Sequence, residues 1–366
     1  VSGVIAALIA SLIPDNTKNN KLKLLWNTKA KELDPDNFLV KWNLAQSQLS
    51  EGLIKEGVEN YEYRFAWEEF PSYIREFKKP RWQPDVPSGA KIMIWFEQGI
   101  GDQIRFFSTI NLFKQKFPNL IIETSEKTYP ILKAAFTDIE VRVSTMEPDL
   151  TTKIEDFDYH LPSASMFYHI VAENAEKFKE EEFYLLERYL IPDQQRKEYW
   201  HRKLQLVSNK PKVGICWTSQ NNSGLRGRHY TTLEKWRGLL DMPDFDFVSL
   251  QYQLDMDELR SLGDISENFI DTGFLDQKED LEGATALISN LDFVISTGAA
   301  PSMLSSCLGI PTIIYSTYDN TAWLGRKHKF NQHPYFKNTL IYPTENAGND
   351  EDIVPDIIKF LTNKYL

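Results

Sequence analysis

The chain has 366 residues and carries 41 lysines and arginines against 52 aspartates and glutamates, a net charge of −11. This length predicts two or three domains, because single cores rarely grow beyond roughly 250 residues. The acidic charge argues against nucleic acid as a partner, since binding phosphates needs a basic surface. The two cysteines, Cys216 and Cys307, lie far apart, so neither a disulfide framework nor a zinc site is expected. We therefore expect a cytoplasmic protein, either free or peripheral at the inner face of the membrane.

The N-terminal apolar run, residues 4–13, is too short to span a bilayer and follows no basic residue. We expect neither a transmembrane segment nor a secretory signal. The start at Val1, without a methionine, is consistent with a fragment whose native N-terminus lies upstream.

Helical spacing of apolar residues predicts a short all-α segment over residues 1–70. Asp34-Pro35 and Gly52 interrupt the pattern, which predicts paired helices. Asn43-Leu44-Ala45, Gly52 and residues 57–61 resemble a tetratricopeptide repeat. Such helices are a candidate surface for a protein partner.

Residues 71–88 are rich in proline and aromatic residues and are predicted to be a linker that packs down. From residue 89 onward, buried-strand runs alternate with helices, one of which carries phenylalanines from Phe106 to Phe117 on one face. This alternation predicts α/β architecture with parallel sheets, in two Rossmann-like lobes over residues 89–205 and 206–366. The predicted strands are residues 91–96, 120–123, 139–141, 157–160, 212–217, 246–250, 292–296 and 312–315.

Three loops that follow strands could carry chemistry, because open α/β sheets bind ligands at the carboxyl ends of their strands. The first is a glycine turn in which Gly99 and Gly101 allow close approach of a substrate. Asp102 has two interpretations there: a general base that accepts the proton of an attacking hydroxyl, or a helix N-cap. Spacing alone favours the cap.

The second loop, residues 218–229, combines hydroxyls, amides and glycines with Arg226 and Arg228. This loop could bind a pyrophosphate, because arginine guanidinium groups match phosphate oxygens and backbone amides add donors. The alternative interpretation is a solvated surface loop, and the sequence does not decide between the two. In the third loop, residues 296–302, small residues and Pro301 leave a helix N-terminus able to face an anion or a sugar hydroxyl. Close packing of helix on sheet explains those small residues equally well.

Segments 97–102, 214–217, 248–251 and 291–296 together resemble the bacterial tetratricopeptide-linked glycosyltransferases related to the heptosyltransferase group, family 9. The resemblance covers about residues 43–335. It implies a GT-B fold and inversion at the anomeric carbon without a metal or other cofactor, and it makes Asp102 the base. The acceptor would lie mainly on the N-terminal lobe and the nucleotide-sugar donor mainly on the C-terminal lobe.

The resemblance also distributes the candidate residues between the two lobes. On the acceptor side lie Gln98, Gly99, Gly101 and Gln103. On the donor side lie Thr218, Ser219, Arg226, Arg228, Gln251, Glu282, Thr297, Gly298, Ala299 and Ser302.

The third loop departs from the family pattern of Asp-Thr-Ala followed three residues later by histidine. Here Gly298-Ala299-Ala300 and Met303 stand at those positions, which puts a donor contact in doubt. The sequence therefore predicts an inverting glycosyltransferase acting on a glycan, lipid-linked or protein acceptor. The alternatives are a catalytically silent GT-B and tetratricopeptide scaffold and a protein O-glycosyltransferase.

Overall fold

A computed structural model of the chain describes residues 2–13, 19–68, 70–72, 74–144, 156–179, 185, 188–219, 224–252, 269–270, 272–273, 275–316, 331–344 and 347–365. The chain forms two compact units. The first holds Val1–Glu187 and His333–Lys337, and the second holds Arg188–Thr317, Lys329–Gln332 and Asn338–Leu366. None of the helices in these described ranges is both long and apolar enough to cross a membrane.

The first unit begins with helices that pack as successive neighbours along the chain. They are α1 (Gly3–Leu12), α2 (Asn20–Leu33), α3 (Phe38–Ser50) and α4 (Ile54–Tyr61), and a 3-10 helix over Glu62–Ala66 follows. The Asn37 side chain accepts the N–H of Val40 at 3.2 Å and so caps α3. Gly57 allows α3 and α4 to pack closely, because a Cβ there would lie 2.8 Å from Cγ of Leu49.

The rest of the first unit is built on a four-stranded sheet of order β3-β2-β1-β4, in which every pairing is parallel. Its strands are β1 (Ile92–Trp95), β2 (Leu120–Thr124), β3 (Glu140–Val143) and β4 (Tyr159–Pro162). Its helices are α5 (Ile100–Phe107), α6 (Ile110–Lys114), α7 (Tyr129–Ala135) and α8 (Ser163–Glu173).

The phenylalanine pattern predicts one helix, but the structure has two, α5 and α6. The hydroxyls of Ser108 and Thr109 donate to the carbonyls of Arg105 and Phe106, the latter at 3.1 Å. Side-chain bonds of this kind compete with helical backbone bonds, which accounts for the break.

The proline-rich segment 74–88 forms neither helix nor strand, yet it lies against β4. The N–H of Trp82 donates to the carbonyl of His160 at 2.9 Å, and the N–H of His160 donates to the carbonyl of Pro80 at 3.2 Å. A single parallel β-bridge between Arg81 and His160 thus adds the segment to the edge of the sheet beside β4.

The second unit contains a seven-stranded sheet of order β10-β11-β9-β8-β5-β6-β7, parallel except for the β10–β11 pair. Its strands are β5 (Lys212–Cys216), β6 (Asp246–Ser249), β7 (Phe269–Ile270), β8 (Phe293–Ser296), β9 (Thr312–Ser316), β10 (Asn331–Gln332) and β11 (Thr339–Pro343). Its helices are α9 (Gln194–Gln205), α10 (Arg237–Leu240), α11 (Leu281–Ile288), α12 (Ala300–Leu308) and α13 (Ile353–Tyr365). Trp217, Trp236 and Tyr315 are fully buried in its core.

These sheets confirm the predicted α/β class with parallel strands. The tetratricopeptide identity of α1–α4 and the GT-B arrangement of the lobes stay predictions.

Candidate functional site

The glycine turn follows β1 and leads into α5, as predicted. Its left-handed residue is Gln98, with φ of 64°, and no other non-glycine residue in the described ranges has a positive φ. Gly99 is instead extended and occupies the N-cap position of α5, and Gly101 lies in the first helical turn. A bulky residue in the left-handed region is held there by its surroundings and often marks a functional turn.

Several hydrogen bonds hold Gln98 in this conformation. Its N–H donates to the Ser72 hydroxyl at 2.6 Å, and its side-chain amide donates to the hydroxyl of Tyr61 at 3.2 Å. Its carbonyl accepts from the Gln103 side chain at 3.3 Å. The turn is therefore fixed by residues from the helical segment, the linker and α5.

Asp102 is the third residue of α5, not its N-cap. One carboxylate oxygen accepts the N–H of Gly99 at 3.3 Å, and the other accepts from Nη2 of Arg105 at 3.0 Å. The Asp102 side chain is 38% exposed, whereas that of Arg105 is 10% exposed. The carboxylate thus joins the start of α5 to Arg105 and remains partly exposed.

A buried ion pair supports the turn from behind. Nε and Nη2 of Arg64 donate to the two oxygens of Glu97 at 2.8 and 2.6 Å, and both residues are fully buried. Burial alone lowers the pKa of Arg64, but the carboxylates of Glu97 and Glu62 outweigh it, so the pKa is raised overall. Glu97 also accepts the N–H of Ala164 at the start of α8, at 3.0 Å.

Ser165 extends this pair into a network. Its hydroxyl accepts from Arg64 at 3.0 Å and from Arg81 at 2.9 Å, and it donates to Glu62 at 3.0 Å. The network was not predicted from the sequence. A signal was present, because Tyr61-Glu62-Tyr63-Arg64 and Pro80-Arg81-Trp82 both lie within residues 43–335, the stretch that the family resemblance covers.

In the second unit, Gln251 holds the start of the second loop. Its Oε1 accepts the N–H groups of Trp217 and Thr218 at 3.3 and 3.2 Å, and its amide donates to the carbonyl of Thr218 at 3.3 Å. This side chain is buried and already engaged with backbone. Gln251 therefore positions Thr218 and Ser219 beyond the end of β5.

The third loop is tied to the second. The Thr297 hydroxyl donates to the carbonyl of His229 at 2.9 Å, and the Ser302 hydroxyl donates to the carbonyl of Ala299 at 2.6 Å. Both side chains are fully buried. Gly298, by contrast, is exposed, and α12 begins at Ala300 without a side-chain cap. The exposed part of this loop is thus backbone, at a helix N-terminus.

The other candidates on the donor side, Arg226, Arg228 and Glu282, differ in exposure and in their partners. Arg228 is exposed, and the Arg226 side chain lies outside the described residues. Glu282, in the first turn of α11, pairs with Arg196 at 3.3 Å and is 40% exposed. The structure therefore brings Gln251 to Thr218 and Thr297 to His229, while Glu282 is engaged with α9.

Cys216, the last residue of β5, has a buried free thiol. Burial raises the pKa of Cys216 to about 12, so its thiol is not an activated nucleophile. Across the described part of the chain, no three His, Cys, Asp or Glu side chains cluster as a metal site.

Comparison with known proteins gives relatives of low identity. No protein-family model matches the chain. The chain is 25% identical over 329 residues to Protein FlbA of Caulobacter vibrioides, an alignment that covers 86% of this chain and 53% of FlbA. The chain thus spans about half the length of this relative.

Solved glycosyltransferases resemble the structure. E. coli ADP-heptose lps heptosyltransferase II matches with a TM-score of 0.51 and 11% identity, over 75% of this chain and 100% of that one. The family 9 glycosyl transferase from Veillonella parvula matches with a TM-score of 0.48 and 10% identity, over 76% of this chain and 90% of that one. The first likeness shows a shared fold.

Proposed function

We propose that this chain is an inverting glycosyltransferase, which moves a sugar from a nucleotide-sugar donor to a hydroxyl of a glycan, lipid-linked or protein acceptor. The observation that carries the proposal is the half-exposed carboxylate of Asp102, presented on the first turn of α5 just beyond β1. The fold shared with the E. coli heptosyltransferase supports it.

In the proposed reaction, the acceptor oxygen attacks the anomeric carbon while the bond from that carbon to the donor phosphate breaks. The nucleoside diphosphate leaves with the bonding electrons, and the proton of the acceptor hydroxyl passes to Asp102. The Gly99 N–H and Arg105 fix the carboxylate in place. In this scheme Asp102 serves as the base while its carboxylate also accepts the N–H of Gly99, the N-cap residue of α5.

The donor would bind on the second unit. The N-terminus of α12, together with Thr218, Ser219 and Arg228, offers backbone and side-chain donors to a pyrophosphate. The scheme includes no metal, and Arg228 with the N-terminal N–H groups of α12 would stabilise part of the charge of the leaving group. The acceptor would bind on the first unit, beside Gln98 and Gly99.

One observation favours the second candidate, a catalytically silent scaffold. Thr297, Ser302 and Gln251 were expected to face the donor, but their polar groups are engaged with backbone. The absence of the family's Asp-Thr-Ala pattern points the same way. A scaffold of this kind would bind partners through α1–α4 and would bind no nucleotide sugar.

The test is Asp102→Asn, which keeps an oxygen able to accept the Gly99 N–H. We expect donor binding, measured by calorimetry with ADP-, UDP- and GDP-sugars, to change little. Release of nucleoside diphosphate in the presence of acceptor glycans and polypeptides should fall by roughly 100-fold or more. Unchanged turnover would remove Asp102 from the mechanism, and failure of the wild type to bind any donor would favour the scaffold.

Asp138→Asn is the matched control, because Asp138 is a surface carboxylate in the same unit, paired with Lys114. It should leave both donor binding and turnover unchanged. The class of product then separates the acceptors, since glycosylated polypeptide would identify a protein O-glycosyltransferase.

A further inference from the structure

The turn that presents Asp102 depends on Gln98, whose φ of 64° places it in the left-handed region. A residue with a Cβ enters that region at a cost in free energy, so the conformation persists only where other contacts hold it. The next residue, Gly99, donates its N–H to the Asp102 carboxylate at 3.3 Å. Because the backbone torsion angles of Gln98 set the direction of that N–H, they also set where the carboxylate lies.

Tyr61, the last residue of α4, holds the side chain of Gln98. The Tyr61 hydroxyl accepts from the Gln98 amide at 3.2 Å. The same amide also donates to Oε2 of Glu97, but at the longer distance of 3.5 Å. Tyr61 therefore makes the shorter of these two contacts, and it makes it from the helical segment.

The surroundings of Tyr61 make it a fixed support. Tyr61 is buried, and its ring centroid lies 4.2 Å from that of Tyr168 on α8 and 5.2 Å from that of Trp42 on α3. Burial raises the pKa of the Tyr61 hydroxyl well above its usual range, so the group is neutral and keeps its proton. A buried ring packed against two others has little freedom to move, so its hydroxyl oxygen stays in one place.

Ser72, in the linker, holds the backbone of the same residue. Ser72 is buried, and its hydroxyl accepts the Gln98 N–H at 2.6 Å. The two supports differ in the group that they hold. The bond to Tyr61 needs the Gln98 side chain, whereas the bond to Ser72 needs only a backbone N–H, which every residue except proline carries.

We propose that Tyr61 is a positioning residue of the transfer reaction, which holds Gln98 and thereby keeps the Asp102 carboxylate where an acceptor hydroxyl can reach it. The inference rests on the proposed function, in which Asp102 is the base. A base must lie within hydrogen-bond reach of the proton that it accepts, so a displaced turn lowers the rate. The helical segment thereby contributes to catalysis, in addition to being a candidate surface for a protein partner.

The experiment measures release of nucleoside diphosphate by the whole chain, with the same nucleotide sugars and acceptors as for Asp102→Asn. Tyr61→Phe removes only the hydroxyl and keeps the stacked ring. Tyr63→Phe is the matched control, because Tyr63 is a half-buried tyrosine of the same helical segment whose ring stacks on Phe38. The kcat and the KM for the donor are determined separately for each variant.

We expect kcat to fall at least about fivefold in Tyr61→Phe, and the KM for the donor to stay within about twofold of the wild type, because the donor would bind on the second unit. Tyr63→Phe should keep both values. Hydrogen–deuterium exchange of peptides that cover residues 97–103 should be faster in Tyr61→Phe than in the wild type, while peptides from β5 and β8 exchange as before.

A double-mutant cycle separates this role from a general effect on folding. Glycine adopts a φ of 64° without strain and has no amide for Tyr61 to hold, so Tyr61→Phe should have little further effect on kcat in the Gln98→Gly background. Ser72→Ala should lower kcat in both backgrounds, because the N–H of residue 98 remains and a flexible glycine still needs that restraint. A role of the Tyr61 hydroxyl in folding alone would give equal losses in both backgrounds.

The possible results separate the inference from the proposed function. Normal turnover of Tyr61→Phe beside an active wild type overturns the inference and leaves the proposed function standing. Equal losses of kcat in the two backgrounds overturn the inference as well, and so does unchanged exchange in residues 97–103. If the wild type turns over no donor, the proposed function fails, and the role of Tyr61 in the reaction fails with it.

Discussion

Replacing Arg64 by methionine should strongly destabilise the first unit. The change removes the two hydrogen bonds that Glu97 accepts at 2.8 and 2.6 Å and leaves that carboxylate fully buried with the Ala164 N–H at 3.0 Å. Hydrogen bonds to charged groups contribute about 1.5–3 kcal/mol each. Breaking a buried pair from one side costs about 3–5 kcal/mol, and we expect a loss of about 4 kcal/mol.

The double variant R64M/E97M should recover most of this loss, because replacing both partners by apolar residues is often close to neutral. Arg142→Met is the control for the loss of an arginine, since Arg142 forms its ion pairs at the surface of the same unit. It should cost less than about 1 kcal/mol.

Hydrogen–deuterium exchange read by mass spectrometry measures these effects locally. Peptides from β1 and α8 report on the first unit, and peptides from β5 and β8 serve as an internal reference in the second. The reasoning is refuted if Arg64→Met leaves protection of β1 and α8 within about 1 kcal/mol of the wild type, or if R64M/E97M is as unstable as the single variant.

Three further outcomes are expected. In urea denaturation, Gln98→Val should lower the free energy of unfolding by about 2 kcal/mol more than Gln98→Gly does, because a β-branched residue resists a φ of 64°. Equal losses of unfolding free energy in the two variants would contradict this. Burial raises the pKa values of Cys216 and Cys307, so thiol titration at pH 8 should detect both cysteines only after denaturation. Labelling of either cysteine in the native chain would contradict this expectation. Burial lowers the pKa of His169, although Glu173 raises it, so the unfolded chain binds more protons just below about pH 6.5. The free energy of unfolding should therefore fall as pH drops through that window. His169→Gln should flatten this dependence on pH, and an unchanged dependence would show that His169 is not its cause.

The sequence predicts local structure well where periodicity is strong. Each predicted strand overlaps an observed one, and Asp102 lies on the first turn of a helix after β1, as its spacing indicates. The strands β7 and β10 have two residues each, too few to show a period. The third unpredicted strand, β11, is a short apolar run, which periodicity alone does not distinguish from other buried segments.

Side-chain contacts between distant residues were harder to predict. Arg64 and Glu97 are 33 residues apart, and no spacing rule links an arginine in a helical segment to a glutamate after a strand. The left-handed residue is Gln98, whereas glycine is the residue normally expected there, because tertiary hydrogen bonds outweigh the local preference. The hydroxyls of Thr297 and Ser302 are used within their own loops, which composition alone does not reveal.

The Arg64–Glu97 pair has a consequence for how such chains can be recombined. Repeat helices are often treated as cassettes that can be exchanged between proteins, because each repeat contacts only its neighbours. Here the last turn of the helical segment supplies the counter-ion of a carboxylate buried beside the four-stranded sheet of the same unit. Replacing this helical segment by repeat helices from another protein would therefore require an arginine at the position of Arg64, or a simultaneous change at Glu97.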